Sequence, residues 1–314
     1  MTLILSERDV QALLDMHEVV AVVEEAFRRA GLGEAANSPR TRSAGKGSTL
    51  SVMHANLSYL GRGGLKAYMS SNAGSKFALI LYDSKTSVPL AVMGADHIGR
   101  YRTGAASGVA TKHLYAKGSG SLAVMGSGKQ AITQVLAIGS VMALDEVRVW
   151  SPDKGHREEF VRTLAKAGFS ASPCDAPALA SKGADVITSI TSSKEPFIKE
   201  EMVEGVSHVN ICGGNVPSHA EMSAGAVGSF ETVVVDDLPQ AKVEYGDLIQ
   251  AVEAGTFSWE SAVELGGVVA GKSKPRGRTL FKSGGAALED VAVASMLFEK
   301  ARSSGRNYPN VELV

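Results

Sequence analysis

The chain has 314 residues, 44% hydrophobic and 21% charged, with a formal net charge of −1. This is ordinary globular composition with room for two domains, and its balanced charge lacks the footprint of a general nucleic-acid binder. No apolar run approaches the roughly 18 residues of a membrane helix. The N-terminal stretch MTLILSERDVQALL has no basic region and reaches a charge at Glu7, unlike a signal peptide. Cys174 and Cys212 are the two cysteines, and neither lies in a CxxC pattern. That usage suits a cytoplasmic protein and offers neither a disulfide framework nor a cysteine zinc site.

Taken in chain order, Ser6 and Asp15 read as helix N-caps. The helix opened by Asp15 carries Val19, Val20, Val22, Val23, Ala26, Phe27 and Ala30 on one face and stops at Gly31. From Arg40 to Met93 short apolar runs alternate with Gly, Asn and Asp turns, which predicts a mostly antiparallel sheet. Residues 102–114, rich in small side chains, predict a tightly packed helix.

After residue 119 the rhythm becomes β-α-β. Strands are expected at 121–125, 146–150, 185–190, 206–211 and 232–236, with helices at 129–142 and 154–167. The fold class that follows is α/β, a Rossmann-type doubly wound parallel sheet beside a second α+β domain. A last helix at about 287–303 is expected to return to the N-terminal part. The domain boundaries implied are 1–118 plus 286–314 for one domain and 119–285 for the Rossmann-type one.

The strongest motif is Gly126-Ser127-Gly128-Lys129-Gln130-Ala131, a GxGxxA loop between a strand and a helix. Gly126 permits the tight turn and Gly128 lets a pyrophosphate approach backbone N–H groups at a helix N-terminus. The small Ala131 allows close helix–strand packing. Where NAD enzymes carry an acid at the end of the next strand, this chain has Trp150-Ser151-Pro152-Asp153-Lys154, with Arg157 beyond. Ser151 can donate to a 2′-phosphate and Lys154 and Arg157 can supply charge, which favours NADP. If those cations are merely a solvated helix start, Asp153 would serve the ribose of NAD instead. Residues 266–273 match GxxxxGK[ST], but the preceding segment reads as helical and Pro275 and Gly277 bar a following helix, so the match is by chance.

Several stretches together resemble the ornithine cyclodeaminase/mu-crystallin family, which includes an archaeal alanine dehydrogenase and ketimine reductases. They are Pro39-Arg40-Thr41, Gly64-Leu65-Lys66, Arg102-Thr103-Gly104-Ala105, the GxGxxA loop, Val209 to Gly214, Val235-Asp236-Asp237 with Gln240-Ala241, and Ser283-Gly284-Gly285 leading to Glu289-Asp290-Val291-Ala292. The resemblance implies a homodimer and an NAD(P)-dependent oxidoreductase acting on a small amino or imino acid. It implies that Arg40, Lys66 and Arg102 hold the substrate carboxylate, as paired cations would, with Arg42 an alternative to Arg40. Lys66 is also a candidate proton donor if burial and neighbouring cations lower its pKa. Ser75, Gln130, Thr191 and Ser283 match cofactor-side positions.

Two positions depart from the family pattern. Asn215 stands where cyclodeaminase and alanine dehydrogenase members carry Asp, and His219 where they carry Lys. Asn215 can orient a water or an amine but cannot act as a base. Imine reduction is therefore favoured, with cyclodeamination by a bound NAD and non-catalytic ligand binding as the alternatives. His219 is a candidate acid–base group or a structural loop histidine; His54 and His97 receive no role.

Overall fold

The computed structural model describes residues 1–313. The chain divides into two compact units, one formed by Met1–Arg102 with the chain from Ala286 onward, the other by Thr103–Gly285.

The first unit opens with β1 (Thr2–Leu5), α1 (Glu7–Leu13) and α2 (Met16–Gly31). Both expected caps form: the Ser6 hydroxyl accepts the Asp9 N–H, and the Asp15 carboxylate accepts that of Glu18. The apolar stripe of α2 is buried through Val19, Val20, Val23, Ala26 and Phe27. Five strands follow, β2 (Ala35–Gly45), β3 (Ser48–Leu57), β4 (Arg62–Ser71), β5 (Gly74–Asp83) and β6 (Pro89–Gly94), each antiparallel to the one before along the β2-to-β6 meander. β1 adds in parallel to β6. The next helix, α3, runs from Asp96 to Leu114, six residues earlier than its small-residue half suggests.

The second unit holds β7 (Ser119–Met125), α4 (Ala131–Gly139), β8 (Ala143–Trp150), α5 (Lys154–Lys166), β9 (Ala171–Pro173), α6 (Pro177–Ser181) and β10 (Val186–Ser189). It continues through α7 (Glu200–Val203), β11 (His208–Ile211), α8 (Ala224–Gly228), β12 (Thr232–Val235), α9 (Leu238–Glu244), α10 (Gly246–Glu253), β13 (Val263–Glu264), α11 (Leu265–Val269) and β14 (Thr279–Lys282). All pairings are parallel, in the order β13-β12-β14-β11-β10-β7-β8-β9. Because β7 lies between β8 and β10, the chain winds in both directions from it, and the carboxyl ends of these strands form the crevice where such sheets bind ligands. No helix forms between the GxxxxGK[ST] match and β14.

The chain returns to the first unit through α12 (Ala287–Ser303), which packs on α2 and β3, and ends with β15 (Asn310–Val311) beside β1. The boundary expected at residue 118 lies instead inside α3. The reason is steric: a Cβ on Gly104 would come within 2.3 Å of the Thr133 carbonyl oxygen, and one on Gly108 within 2.9 Å of that of Ala137. Glycines on α3 therefore let its second half lie directly on α4. Among the described residues no helix is long and apolar enough to cross a membrane.

Candidate active site

In the first unit the three cations of the sequence reading come together. Lys66 sits in the middle of β4, paired in register with Met53 on β3 and Leu79 on β5, both buried. The β2–β3 register shifts between Ser38 and Thr41, so Pro39 and Arg40 occupy an irregularity. Such a bulge re-aims a side chain; Arg40 is buried here while Arg42 is exposed, which separates the two candidates. Arg102 is buried on α3.

Two acids from the first turn of α12 face these cations. Asp290 Oδ1 accepts a hydrogen bond from Lys66 Nζ at 2.7 Å and another from Arg102 Nε at 3.1 Å. Glu289 Oε2 accepts one from Arg102 at 3.1 Å, and its other oxygen accepts the Ala286 N–H at 2.9 Å. All four of these side chains are buried. Burial pushes the Lys66 ammonium down, Arg102 and Arg40 push further, and Asp290 pulls the other way; the result is a pKa of about 8. Charge-paired cations in a dry setting form a receptor for a carboxylate. The Lys66 Nζ also lies close to the position a side chain on Gly99 would take.

In the second unit the GxGxxA loop has the shape a dinucleotide needs. Gly126 has φ of 109°, and a Cβ there would meet the Ile190 carbonyl oxygen at 2.7 Å, so only glycine fits this turn. A Cβ on Gly128 would meet nothing within 4 Å, so the backbone here lies open to an approaching group. The helix begins at Ala131, two residues later than expected, because 127–130 form the turn; Lys129 and Gln130 are exposed on it. Ala131 itself is fully buried. These features fit a pyrophosphate at the start of α4.

Around the end of β8, Ser127 Oγ donates to Ser151 Oγ at 2.8 Å. Asp153 caps α5, its carboxylate accepting the His156 N–H at 2.7 Å. Lys154 is exposed. Arg157, expected to reach a phosphate, is buried, pairs with Asp175 and donates to the Ser151 carbonyl at 3.1 Å. It shapes the Ser151 turn instead of presenting its charge to solvent.

The remaining positions are spread over both units. Thr191 follows β10 and gives both its N–H and its hydroxyl to Glu221 Oε1. Ser283 follows β14 and donates to Asp236 Oδ2 at 2.8 Å. Asn215 stands in the loop after β11, partly buried, with His219 in the turn beyond. Ser75 is exposed near the β4–β5 turn of the first unit, bonded to Ser70. His54 is exposed and His97 pairs with Glu7.

Sequence reasoning did not foresee what lies beneath the loops after β10 and β11. Lys282 Nζ donates to the Gly214 carbonyl at 3.1 Å, and Glu221 Oε2 accepts the Gly213 N–H at 2.7 Å. Glu221 is held above the usual carboxylate range, chiefly by burial. The signal available was a charged residue in the strand TLFK, whose hydrogen-bond partner Gly214 lies 68 positions away in sequence.

A profile of the ornithine cyclodeaminase/mu-crystallin family matches residues 1–305. The chain belongs to this family. It is 35% identical to the alanine dehydrogenase of Archaeoglobus fulgidus, over 96% of each chain. Among solved structures, the Thermococcus litoralis Delta(1)-pyrroline-2-carboxylate reductase in complex with NADH and L-proline superposes with a TM-score of 0.91 at 29% identity, covering 99% of this chain and 100% of that one. An archaeal alanine dehydrogenase dimer with bound NAD gives a TM-score of 0.90 at 32% identity, covering 100% of this chain and 99% of that one.

Proposed function

We propose that this family member is an NAD(P)H-dependent oxidoreductase that reduces small α-imino acids to α-amino acids, and runs in reverse as an amino-acid dehydrogenase. The observation that carries this reading is the buried set of Arg40, Lys66 and Arg102, with Asp290 shared between two of them. Such a set suits an α-carboxylate, and relatives that span the chain are an alanine dehydrogenase and a pyrroline-2-carboxylate reductase. The Gly126–Ala131 loop would hold a nicotinamide nucleotide, which when bound would supply hydride for the substrate α-carbon. The protein's own side chains bind and orient the carboxylate, and Lys66, with a pKa near 8, is suited to give a proton to the nitrogen as it is reduced.

Asn215 supports reduction over cyclodeamination. Its amide can orient a nitrogen or a water, but it cannot take the protons that ammonia loss and ring closure must shed. Net consumption of reduced nucleotide with pyrroline-2-carboxylate or a linear imino acid tests the reading. Absence of turnover with every imino and amino acid in such a panel would leave a binding protein.

The preferred nucleotide in this proposal is NADPH. The two solved relatives hold NADH and NAD. In this chain, however, the residue that follows β8 is the neutral Ser151, and the nearby carboxylate of Asp153 is engaged as a helix cap. Lys154 supplies an exposed positive charge on the same turn. The proposal also includes a cytoplasmic homodimer joined through the first unit, supported by the dimeric archaeal relative and by two cysteines present as free thiols.

A further inference from the structure

We propose that Asp290 is a positioning residue for this reaction: its single oxygen Oδ1 holds the Lys66 ammonium beside the Arg102 guanidinium and supplies the negative charge that lets two cations share a buried site. The inference rests on the functional reading above and assigns a role to a residue outside the carboxylate-binding set.

The geometry is specific. Lys66 comes from β4 and Arg102 from α3, so no local structure links them; the carboxylate of α12 is what they have in common. Its Oδ1 accepts from both, at 2.7 and 3.1 Å, while its Oδ2 is buried and makes no hydrogen bond. Glu289, one residue earlier, engages Arg102 and the start of α12 and does not bond Lys66. The two acids are therefore distinguishable in function although adjacent in sequence.

Lys66 is faced by Asp290 from α12, by Arg102 from α3 and by Arg40 from β2, while its register partners on β3 and β5 are Met53 and Leu79. Arg102 and Arg40 oppose the ammonium, as does burial, while Asp290 favours it. Removing the carboxylate should therefore favour neutral Lys66, which neither binds a carboxylate well nor gives a proton. An opposite charge within about 4–6 Å moves a pKa by about 1–3 units. A fall in kcat/KM on the alkaline side is expected at about pH 8 in the unmodified protein, and it should move down by that amount in Asp290→Asn.

The test compares pH profiles of kcat/KM for the unmodified protein, Asp290→Asn, Asp290→Glu and Glu289→Gln. The expected result is a downward shift in Asp290→Asn, its rescue in Asp290→Glu, and no shift in Glu289→Gln. An unshifted profile in Asp290→Asn overturns the proposal, because loss of packing alone lowers the rate without moving the limb. Direct titration of Lys66 by 13C NMR, identified by its absence in Lys66→Met, reads the same shift without any turnover. That separates failure of the inference from failure of the enzymatic reading. Should Asp290→Asn not fold, the double variant Lys66→Met/Asp290→Asn is expected to fold again, since the second cation has gone; its failure to fold overturns the proposal.

Discussion

Lys282 Nζ lies 2.8 Å from Asp247 Oδ2, and both side chains are withdrawn from solvent. Burial opposes the Lys282 charge, but Asp247 and Glu221 more than offset it and hold its pKa above the ordinary lysine range. Asp247 in turn accepts the N–H groups of Glu221 and Met222, and Lys282 and Glu221 grip the Gly213-Gly214 backbone next to Asn215. Lys282→Met would leave two buried carboxylates without their cation. Breaking a buried pair from one side costs about 3–5 kcal/mol. Denaturant unfolding is expected to show a loss of that size, and an unchanged midpoint would mean the network is not what holds these loops.

A second expectation concerns acid stability. His208 is fully buried, bonded at Nδ1 to Thr279 and at Nε2 to Asn210, and burial lowers its pKa from 6.5 to about 4. The unfolded chain then binds the proton first, so the stability from neutral His208 is complete above pH 6.5 and is lost as pH falls toward 4. At about 1.4 kcal/mol per pKa unit the loss amounts to about 3 kcal/mol. Denaturant midpoints of His208→Gln should vary less over that range than those of the unmodified protein. Parallel curves for the two proteins would contradict the assignment.

The nucleotide loop gives a third. Gly126→Ala places a methyl group 2.7 Å from the Ile190 carbonyl at a backbone φ of 109°. Strain of this kind costs about 1–3 kcal/mol, and it falls on the turn that enters α4. Nucleotide affinity, measured by fluorescence titration, should drop about tenfold or more. Gly128→Ala, where space is open, should disturb the fold little and act only against the bound nucleotide. Equal affinity in Gly126→Ala and the unmodified protein would rule out this loop as the phosphate site.

The fourth concerns which nucleotide is used. Ser151→Asp introduces a carboxylate at the end of β8, where it would accept the ribose 2′-hydroxyl and repel a 2′-phosphate. The ratio of kcat/KM for NADPH to that for NADH is expected to exceed one in the unmodified protein and to invert in the variant. A preference for NADH in the unmodified protein would show that Ser151 and Lys154 do not read the phosphate.

Much of this architecture is legible in the sequence because it is written in local patterns. The helix at 287–303 and the strand–loop–helix around Gly126 follow from periodicity and glycine spacing. What is less legible depends on contacts between distant segments. The start of α3 at Asp96 has no small-residue signature, and the inward turn of Arg40 depends on an irregularity opposite β3 that composition does not encode. Arg157 reads as a phosphate cation until Asp175, 18 residues on, is seen to claim it. Asp290 lies inside a motif legible in the sequence, yet its bond to Lys66 spans 224 positions.

Deuterium transfer tests the central claim most directly. Reduced nucleotide carrying deuterium at the transferable position of the nicotinamide is mixed with pyrroline-2-carboxylate, and the product is analysed by mass spectrometry and NMR; ornithine with catalytic NAD is run beside it. The account predicts proline labelled once at its α-carbon, one nucleotide oxidised per proline, and little proline from ornithine. Efficient conversion of ornithine to proline with no net nucleotide change, and no label transferred to pyrroline-2-carboxylate, would contradict it.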